Sequence, residues 1–229
     1  MAAPPALETE RLAQRYARLA RESPGRRGVD PALRGLDILL ATVVLIATAP
    51  AILLISFGIL ASSGLPILYR GERVGRGGRV FRMLKFRTLK PDAEVRLGPH
   101  LGSELVRRTR EEVTEFGAWL RATQLDEIPQ FWNVLCGQMS IVGPRPIRPR
   151  FFEELAAQLP AYWQRLVVRP GLTGFAQVRR GYETSMGEKL AHDLEWIADR
   201  SVRLYLRTVV ATGWRVAGQS LRGLFRSRE

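Results

Sequence analysis

The chain has 229 residues, of which 46% are hydrophobic, and this composition does not indicate a polytopic membrane protein. Lys and Arg total 35 against 22 Asp and Glu, so the formal net charge is +13. Such an excess indicates an anionic partner, either nucleic acid, an anionic membrane surface or a phosphorylated substrate, although an arginine-rich genome would give the same bias. The single cysteine, Cys136, excludes an internal disulfide, and two histidines without a cysteine cluster argue against a zinc site.

Residues 1–33 are predicted to form a basic extension, because they are longer and more charged than the start of a cleavable signal sequence. Leu12, Tyr16 and Leu19 recur at helical spacing, which predicts a short surface helix before Pro24-Gly25 breaks the chain.

Between Asp37 and Arg70 the chain carries no charged residue over 32 positions, and a membrane helix needs about 20 apolar residues to cross. Pro50 falls near the middle, where it would kink or break the helix. Arginines flank both ends of the stretch, and the positive-inside tendency therefore favours both ends in the cytoplasm. From these residues alone, a helix that returns at Pro50 and a kinked helix that crosses are equally favoured.

The segment 65–89 is strand-like on both sides of a glycine-rich turn, which predicts a β-hairpin. A plain turn is favoured over a phosphate-binding loop there, because no Walker or Rossmann spacing follows. Residues 91–103 are predicted to be a loop, and Glu104–Ala122 one helix with i,i+4 charge pairs.

Two further helices are predicted beyond Lys189. The second, over residues 203–225, is amphipathic and rich in arginine. Such a helix could lie in the lipid headgroup layer, although packing on the domain core is the more frequent explanation.

Asp126 and Glu127 form a vicinal carboxylate pair beside several constrained arginines. Taken alone, the pair is more often a helix cap. Nearby, however, Arg121 precedes it, Pro144 and Pro146 enclose Arg145, and Pro170-Gly171 follows Arg169. Flanking prolines stiffen the backbone, which suits a positioned anion ligand better than a solvated charge, although an exposed arginine in a turn explains each Arg-Pro pair singly. Phosphoryl transfer needs such parts: a nucleophile, a divalent cation and cationic groups for the phosphate oxygens.

Five segments, in order over about residues 33–215, resemble those of bacterial sugar transferases, the monotopic phosphoglycosyl transferases. They read RGLDILLATVVLIATAPAILL, FRMLKFRTL, LDEIPQFWNVL, MSIVGPRPI and VRPGLTGFAQV. The resemblance implies a re-entrant helix broken at Pro50. It also implies transfer of a sugar-1-phosphate from a UDP-sugar to polyprenol (undecaprenyl) phosphate, with release of UMP, in a two-step covalent mechanism that uses Mg²⁺.

By the same resemblance, Asp126 is the expected nucleophile, and Glu127 assists the attack of the acceptor or, with Asp126, the metal site. The expected phosphate- and substrate-binding residues are Arg121, Arg145, Arg169, Lys85 and Arg87. The structural positions of the motifs are Pro50, Pro144, Pro146, Pro170 and Gly171.

The sequence departs from the family pattern at two places. Ala49 precedes Pro50 where relatives often have Ser, so the proline is kept while any hydrogen bond from that Ser is lost. Gln138 stands where the family has an acidic residue, so no carboxylate at that position can be required for metal binding in this protein.

The expected architecture is an α/β, mainly helical catalytic domain over residues 64–225 with a small β-hairpin. A re-entrant segment over 34–63 and interfacial helices would hold it on the cytoplasmic face of a bacterial inner membrane. The extension is shorter than the four-helix membrane region of larger members, so a minimal enzyme is expected, priming exopolysaccharide, O-antigen or related glycoconjugate synthesis without a nucleic-acid partner.

The alternatives are a membrane-tethered basic scaffold or nucleic-acid-binding protein and a glycosyl transferase that releases UDP. Residues 179–189 are the expected place for sugar specificity.

Overall fold

A long apolar helix and a small α/β body make up the computed structural model, which describes residues 27–97, 102–180 and 185–226. The predicted helix around Tyr16 and residues 181–184 of the expected specificity stretch lie outside these ranges. Four strands pair as an antiparallel hairpin, β1 (Leu68–Val74) with β2 (Val80–Phe86), and a short parallel pair, β3 (Ser140–Val142) with β4 (Gly171–Thr173). The helices are α1 (Asp30–Ser63), α2 (Ala93–Leu97), α3 (Gly102–Glu111), α4 (Glu115–Thr123), α5 (Gln130–Leu135), α6 (Pro149–Gln158), α7 (Phe175–Arg180), α8 (Met186–Asp199) and α9 (Val202–Arg226).

Helix α1 is long and apolar enough to cross a membrane by length and composition. It begins at Asp30, four residues before the predicted boundary at residue 34. An acidic residue and a proline both suit the first helical turn, because backbone N–H groups there have no partner within the helix. The helix continues through Pro50, which cannot donate a backbone hydrogen bond. Nearby, the Thr48 hydroxyl donates to the Val44 carbonyl, 2.7 Å away.

Both halves of α1 are anchored in the body. Leu33 and Ala41 belong to one buried cluster, which includes Val134, and Ile55 and Ile59 belong to another with Ile128. The outward face carries large apolar side chains that remain more than 70% exposed: Ile46, Leu53, Leu54 and Phe57. An apolar surface of this kind marks an interaction with a membrane or a partner.

Asp37 fastens the first half of α1 to the body. Its Oδ1 accepts hydrogen bonds from the Ser140 hydroxyl (2.9 Å), the Ile141 amide (2.9 Å) and the Tyr205 hydroxyl (2.8 Å). One buried carboxylate thereby joins α1, β3 and α9, and all three donors satisfy a group that would otherwise be costly to bury.

The predicted hairpin over 65–89 is confirmed. Leu68 pairs with Phe86 and Val74 with Val80, and the turn between the strands passes through Gly77 (φ +65°) and Gly78 (φ +75°). These left-handed conformations are the physical reason for glycine at the turn.

The prediction of one helix over Glu104–Ala122 is wrong, since α3 ends at Glu111 and α4 begins at Glu115. The Thr114 side chain caps α4 by accepting a hydrogen bond from the Gly117 amide (2.9 Å), and the preceding residue forms a β-bridge to Leu89. The predicted loop over 91–103 is also partly wrong, because α2 (Ala93–Leu97) lies within it.

The two C-terminal helices are confirmed as α8 and α9. Tyr205 and Thr208 bury one face of α9 in the core. The opposite face exposes an apolar stripe at four-residue spacing: Val202, Leu206, Val210 and Trp214. Helix α9 therefore packs on the core, and it also presents an apolar surface.

Candidate active site

A cavity of about 1510 Å³ brings most of the sequence-predicted site residues together. Its wall includes the carboxylates of Asp126 and Glu127 and nine cationic residues: Arg70, Arg73, Lys85, Arg87, Lys90, Arg121, Arg145, Arg148 and Arg215. Apolar side chains of α1 and α9 complete the lining, among them Leu40, Val44, Val209 and Val216. The cavity can therefore receive a ligand that has both phosphate groups and an apolar part.

Asp126 and Glu127 lie on a short 3-10 helix, Leu125–Glu127, between α4 and α5. The chain enters this turn through Gln124 in the left-handed conformation (φ +59°), which ends α4 and turns the carboxylates into the cavity. The Thr123 hydroxyl donates back to the Trp119 carbonyl (2.9 Å), within α4.

Lys85 on β2 is the cation closest to the carboxylate pair. Its Nζ lies 2.5 Å from Glu127 Oε1 and 3.6 Å from Asp126 Oδ2. Burial raises the pKa of Asp126 above its ordinary value, and Glu127 adds to this effect, while Lys85 and Arg121 oppose it. Asp126 is thus a poorly solvated carboxylate with cations beside it, a setting found at functional sites.

Asn133, which the sequence did not single out, fixes α5 to β2 beside this pair. Its Oδ1 accepts from the Leu84 amide (2.9 Å), and its Nδ2 donates to the Arg82 carbonyl (2.9 Å) and to Gln138 Oε1 (2.6 Å). The side chain thereby pairs with the backbone of β2 next to Lys85. A buried Asn within an apolar helical segment was the available signal.

Arg121 approaches the cavity from the last turn of α4. Its Nε donates to the Thr88 hydroxyl (2.8 Å) at the end of the hairpin. Burial lowers the pKa of Arg121, and the nearby Asp126 opposes this shift. Thr88 is therefore a second residue that the sequence missed, since it orients the guanidinium.

The loop that carries Arg145 packs against β4 without room for side chains between the backbones. The Gly171 amide donates to the Pro144 carbonyl (2.9 Å), and a Cβ on Gly171 would lie 2.1 Å from the Gly143 nitrogen. The Pro170 carbonyl accepts from the Ser140 amide (2.9 Å). Pro170 and Gly171 thus join β3 to β4 and support the Arg145 loop.

Two predicted site residues, Arg87 and Arg169, use their guanidinium groups to bind backbone carbonyl groups. Arg87 also lines the cavity, but its Nη2 donates to the carbonyls of Ser63 (2.8 Å) and Gly64 (2.6 Å), so it caps the end of α1. Arg169 is absent from the cavity lining of the described chain. Its Nε donates instead to the Gly137 carbonyl (2.8 Å), in the turn after α5.

Within the described ranges, no group of three or more His, Cys, Asp or Glu side chains could hold a metal ion. Asp126 and Glu127 nevertheless fit Mg²⁺, which proteins commonly bind through one or two carboxylates while substrate phosphates and water complete the coordination.

The cavity combines a buried carboxylate, several cationic side chains and an apolar wall. The chain belongs to the bacterial sugar transferase family, whose model matches residues 30–219. The resemblance seen in the five sequence motifs is confirmed by this match.

Curated relatives include a UDP-glucose:undecaprenyl-phosphate glucose-1-phosphate transferase of Xanthomonas campestris pv. campestris, 39% identical over 191 residues, or 80% of this chain and 38% of the relative. A UDP-N-acetylgalactosamine-undecaprenyl-phosphate N-acetylgalactosaminephosphotransferase of Aeromonas hydrophila is 35% identical over 182 residues, 78% of this chain and 42% of the relative. A second glucose-1-phosphate transferase, from Caulobacter vibrioides, is 39% identical over 193 residues, 80% of this chain and 70% of the relative. The chain thus spans about two fifths of the length of the first two relatives.

Proposed function

We propose that this protein transfers a sugar-1-phosphate from a UDP-sugar to undecaprenyl phosphate and releases UMP, the priming step of a polysaccharide or glycoconjugate pathway. The observation that carries the proposal is the buried Asp126 carboxylate beside Lys85 and Arg121, in a cavity whose wall also includes apolar side chains of α1. The names of the relatives supply the substrate classes.

In the first step, a carboxylate oxygen of Asp126 attacks the phosphorus that bears the sugar. A bond forms from Asp126 to phosphorus, the bond to the bridging oxygen breaks, and UMP leaves with that oxygen and its electron pair. Arg121 and Arg145 bind phosphate oxygens, and Lys85 offsets the charge that gathers around Asp126. Burial favours the attack, because the carboxylate has few water molecules to shed.

In the second step, a phosphate oxygen of undecaprenyl phosphate attacks the same phosphorus, and the Asp126 carboxylate leaves. The product is a lipid diphosphate sugar, and Asp126 returns to its starting state. Glu127 takes a proton from the acceptor phosphate and later gives it to solvent; support comes from its position beside Asp126 and from its greater exposure. When bound at Asp126 and Glu127, Mg²⁺ would neutralise phosphate charge during transfer.

We propose further that α1 enters and leaves one leaflet, with the body on the cytoplasmic face. A straight helix of 34 residues would extend about 51 Å, beyond a hydrocarbon core of about 30 Å. Support comes from the two halves of α1, which both pack on the body, and from Pro50 between them. Arg34 and Arg87 add support, because their hydrogen bonds join the two ends of α1 to the body. Arg34 on α1 donates to the Val134 carbonyl of α5, and Arg87 of the body donates to the Ser63 carbonyl at the end of α1.

The test uses UDP-glucose and UDP-N-acetylgalactosamine labelled in the sugar-bearing phosphate, with the protein in nanodiscs that contain undecaprenyl phosphate and Mg²⁺. We expect the label in the lipid and UMP in solution, and neither with the Asp126→Asn variant. Release of UDP would instead identify a transferase that moves the sugar without its phosphate. No turnover across a panel of UDP-sugars would favour a membrane-tethered scaffold.

A further inference from the structure

The loop that presents Arg145 is held through its carbonyl groups. Pro144 and Pro146 have no N–H, so the loop cannot donate from these positions. The Pro144 carbonyl accepts from the Gly171 amide and the Ile147 carbonyl from the Val74 amide, each at 2.9 Å. The Arg145 carbonyl lies between these two contacts and accepts from Nη2 of Arg165 (3.0 Å). Of these three donors, two are backbone amides and only Arg165 donates from a side chain. Its acceptor belongs to Arg145, whose own side chain lines the cavity.

Arg165 is itself held by two other partners. Its Nε donates to Asp193 Oδ2 at 2.8 Å, and both side chains are only 6% exposed. Its Nη1 donates to the Tyr162 hydroxyl (2.7 Å), so three nitrogens of one planar guanidinium make directed bonds. Asp193 lies on α8, whereas Arg165 lies on the 3-10 helix Pro160–Val167.

A buried ion pair of this kind is not needed for stability, because well-packed apolar residues of similar volume often stabilise a protein as much or more. What apolar residues cannot do is donate a hydrogen bond to the Arg145 carbonyl. Two backbone hydrogen bonds hold the residues on either side of Arg145, and Arg165 holds the carbonyl of Arg145 itself. A small rotation at residue 145 would move its guanidinium within the cavity.

We infer that Arg165 and Asp193 form a positioning pair that aims the Arg145 side chain at a phosphate group of the nucleotide substrate. The inference rests on the proposed function, and it adds α8 to the elements on which the active site depends. Arg165 is not among the described residues that line the cavity, and its guanidinium donates to three protein groups.

The test is a double-mutant cycle with Arg165→Lys and Arg145→Ala, read as kcat/KM for UMP release. A lysine can pair with Asp193 but cannot reach all three partners at once. We expect Arg165→Lys to lower kcat/KM about tenfold when Arg145 is present and to have little effect when it is absent. Equal losses in both backgrounds would overturn the inference, because a general structural role does not depend on Arg145.

Two further variants separate positioning from folding. Arg165→Met combined with Asp193→Leu should keep the unfolding temperature while kcat/KM falls as in Arg165→Lys. Wild-type kcat/KM in that folded double variant would overturn the inference. Arg150→Lys alters an exposed pair with Glu154 (3.4 Å) and should change nothing.

The same cycle is measured as Kd for UMP by calorimetry, which needs no turnover. If the protein binds UMP but releases none from any UDP-sugar, the proposed function fails while the cycle in Kd still decides the role of Arg165. If Arg165→Lys changes Kd for UMP equally with and without the Arg145 side chain, the positioning role alone is overturned. A wild-type protein that neither binds nor releases UMP overturns both.

Discussion

Lys85 and Asp126 face each other across the gap between β2 and the turn after α4, with Nζ 3.6 Å from Oδ2. Two effects act on the pKa of Asp126 in opposite directions. Burial raises this pKa, and the Lys85 ammonium lowers it. In the proposed mechanism Asp126 attacks phosphorus only when it is ionised, so Lys85 would increase the ionised fraction of Asp126 at a given pH.

Replacing Lys85 with Met should move the acid limb of the pH–rate profile for UMP release to higher pH. The pKa of Asp126 already lies above its ordinary value, and loss of the ammonium removes a group that lowers it. Activity is present above that pKa and disappears as the pH falls through it, so a higher pKa shifts the loss upward. An unshifted acid limb in Lys85→Met would show that Lys85 does not act on Asp126. Arg107→Met, on the exposed surface of α3, serves as the control.

Replacing Arg87 with Met should lower the free energy of unfolding by about 1–3 kcal/mol, because carbonyl groups at the end of α1 lose a buried donor. The measurement is thermal or chemical unfolding in detergent. Arg108→Met breaks an exposed pair with Glu104 and should cost about 0–1 kcal/mol. If Arg87→Met instead raises KM for the UDP-sugar and leaves unfolding unchanged, Arg87 binds substrate and the capping role is wrong.

Replacing Gly117 with Ala should destabilise the protein by about 1–3 kcal/mol. A Cβ at this position would lie 2.2 Å from the Thr88 carbonyl oxygen, so the backbone must move. Because the Thr88 hydroxyl orients Arg121, the rate of UMP release should also fall. The same substitution at Gly218 in α9 meets no atom within 4 Å and should stabilise by about 0.5–1 kcal/mol. Equal effects at the two glycines would refute the close approach.

A re-entrant α1 places both of its flanks on one side of the membrane. Single cysteines at Gly28 and Leu65, in a Cys136→Ser background, should both react with an impermeant maleimide in inside-out vesicles and be protected in right-side-out vesicles. The exposed Cys136 of the natural chain serves as the marker for the side of the body. Opposite labelling of the two positions would mean that α1 crosses the bilayer.

The sequence predicted the elements whose signals are local. The hairpin has strand patterning on both sides of glycines that adopt positive φ, and the apolar α1 and the amphipathic α9 are evident from composition and periodicity. Residues 126 and 127 were singled out through their neighbours and through a family resemblance, rather than through the carboxylates alone.

Other features depend on contacts between distant parts of the chain. The break between α3 and α4 coincides with the β-bridge from Leu89 to Val113. The hydrogen bond from the Leu84 amide to Asn133 forms only because β2 lies beside α5. No spacing rule links Arg165 to the Arg145 carbonyl or Arg169 to the turn at Gly137. These features arise only when the tertiary fold brings the donors and acceptors together, so the sequence did not predict them.

The most direct test of the central claim is the intact mass of the protein after incubation with a UDP-sugar and Mg²⁺ in the absence of lipid acceptor. We predict release of one UMP per protein, a mass increase equal to one sugar phosphate less one water, and localisation of the adduct to Asp126 by peptide analysis. Undecaprenyl phosphate should then discharge the adduct. Absence of the adduct under conditions that support turnover, or its persistence in Asp126→Asn, would contradict the covalent mechanism.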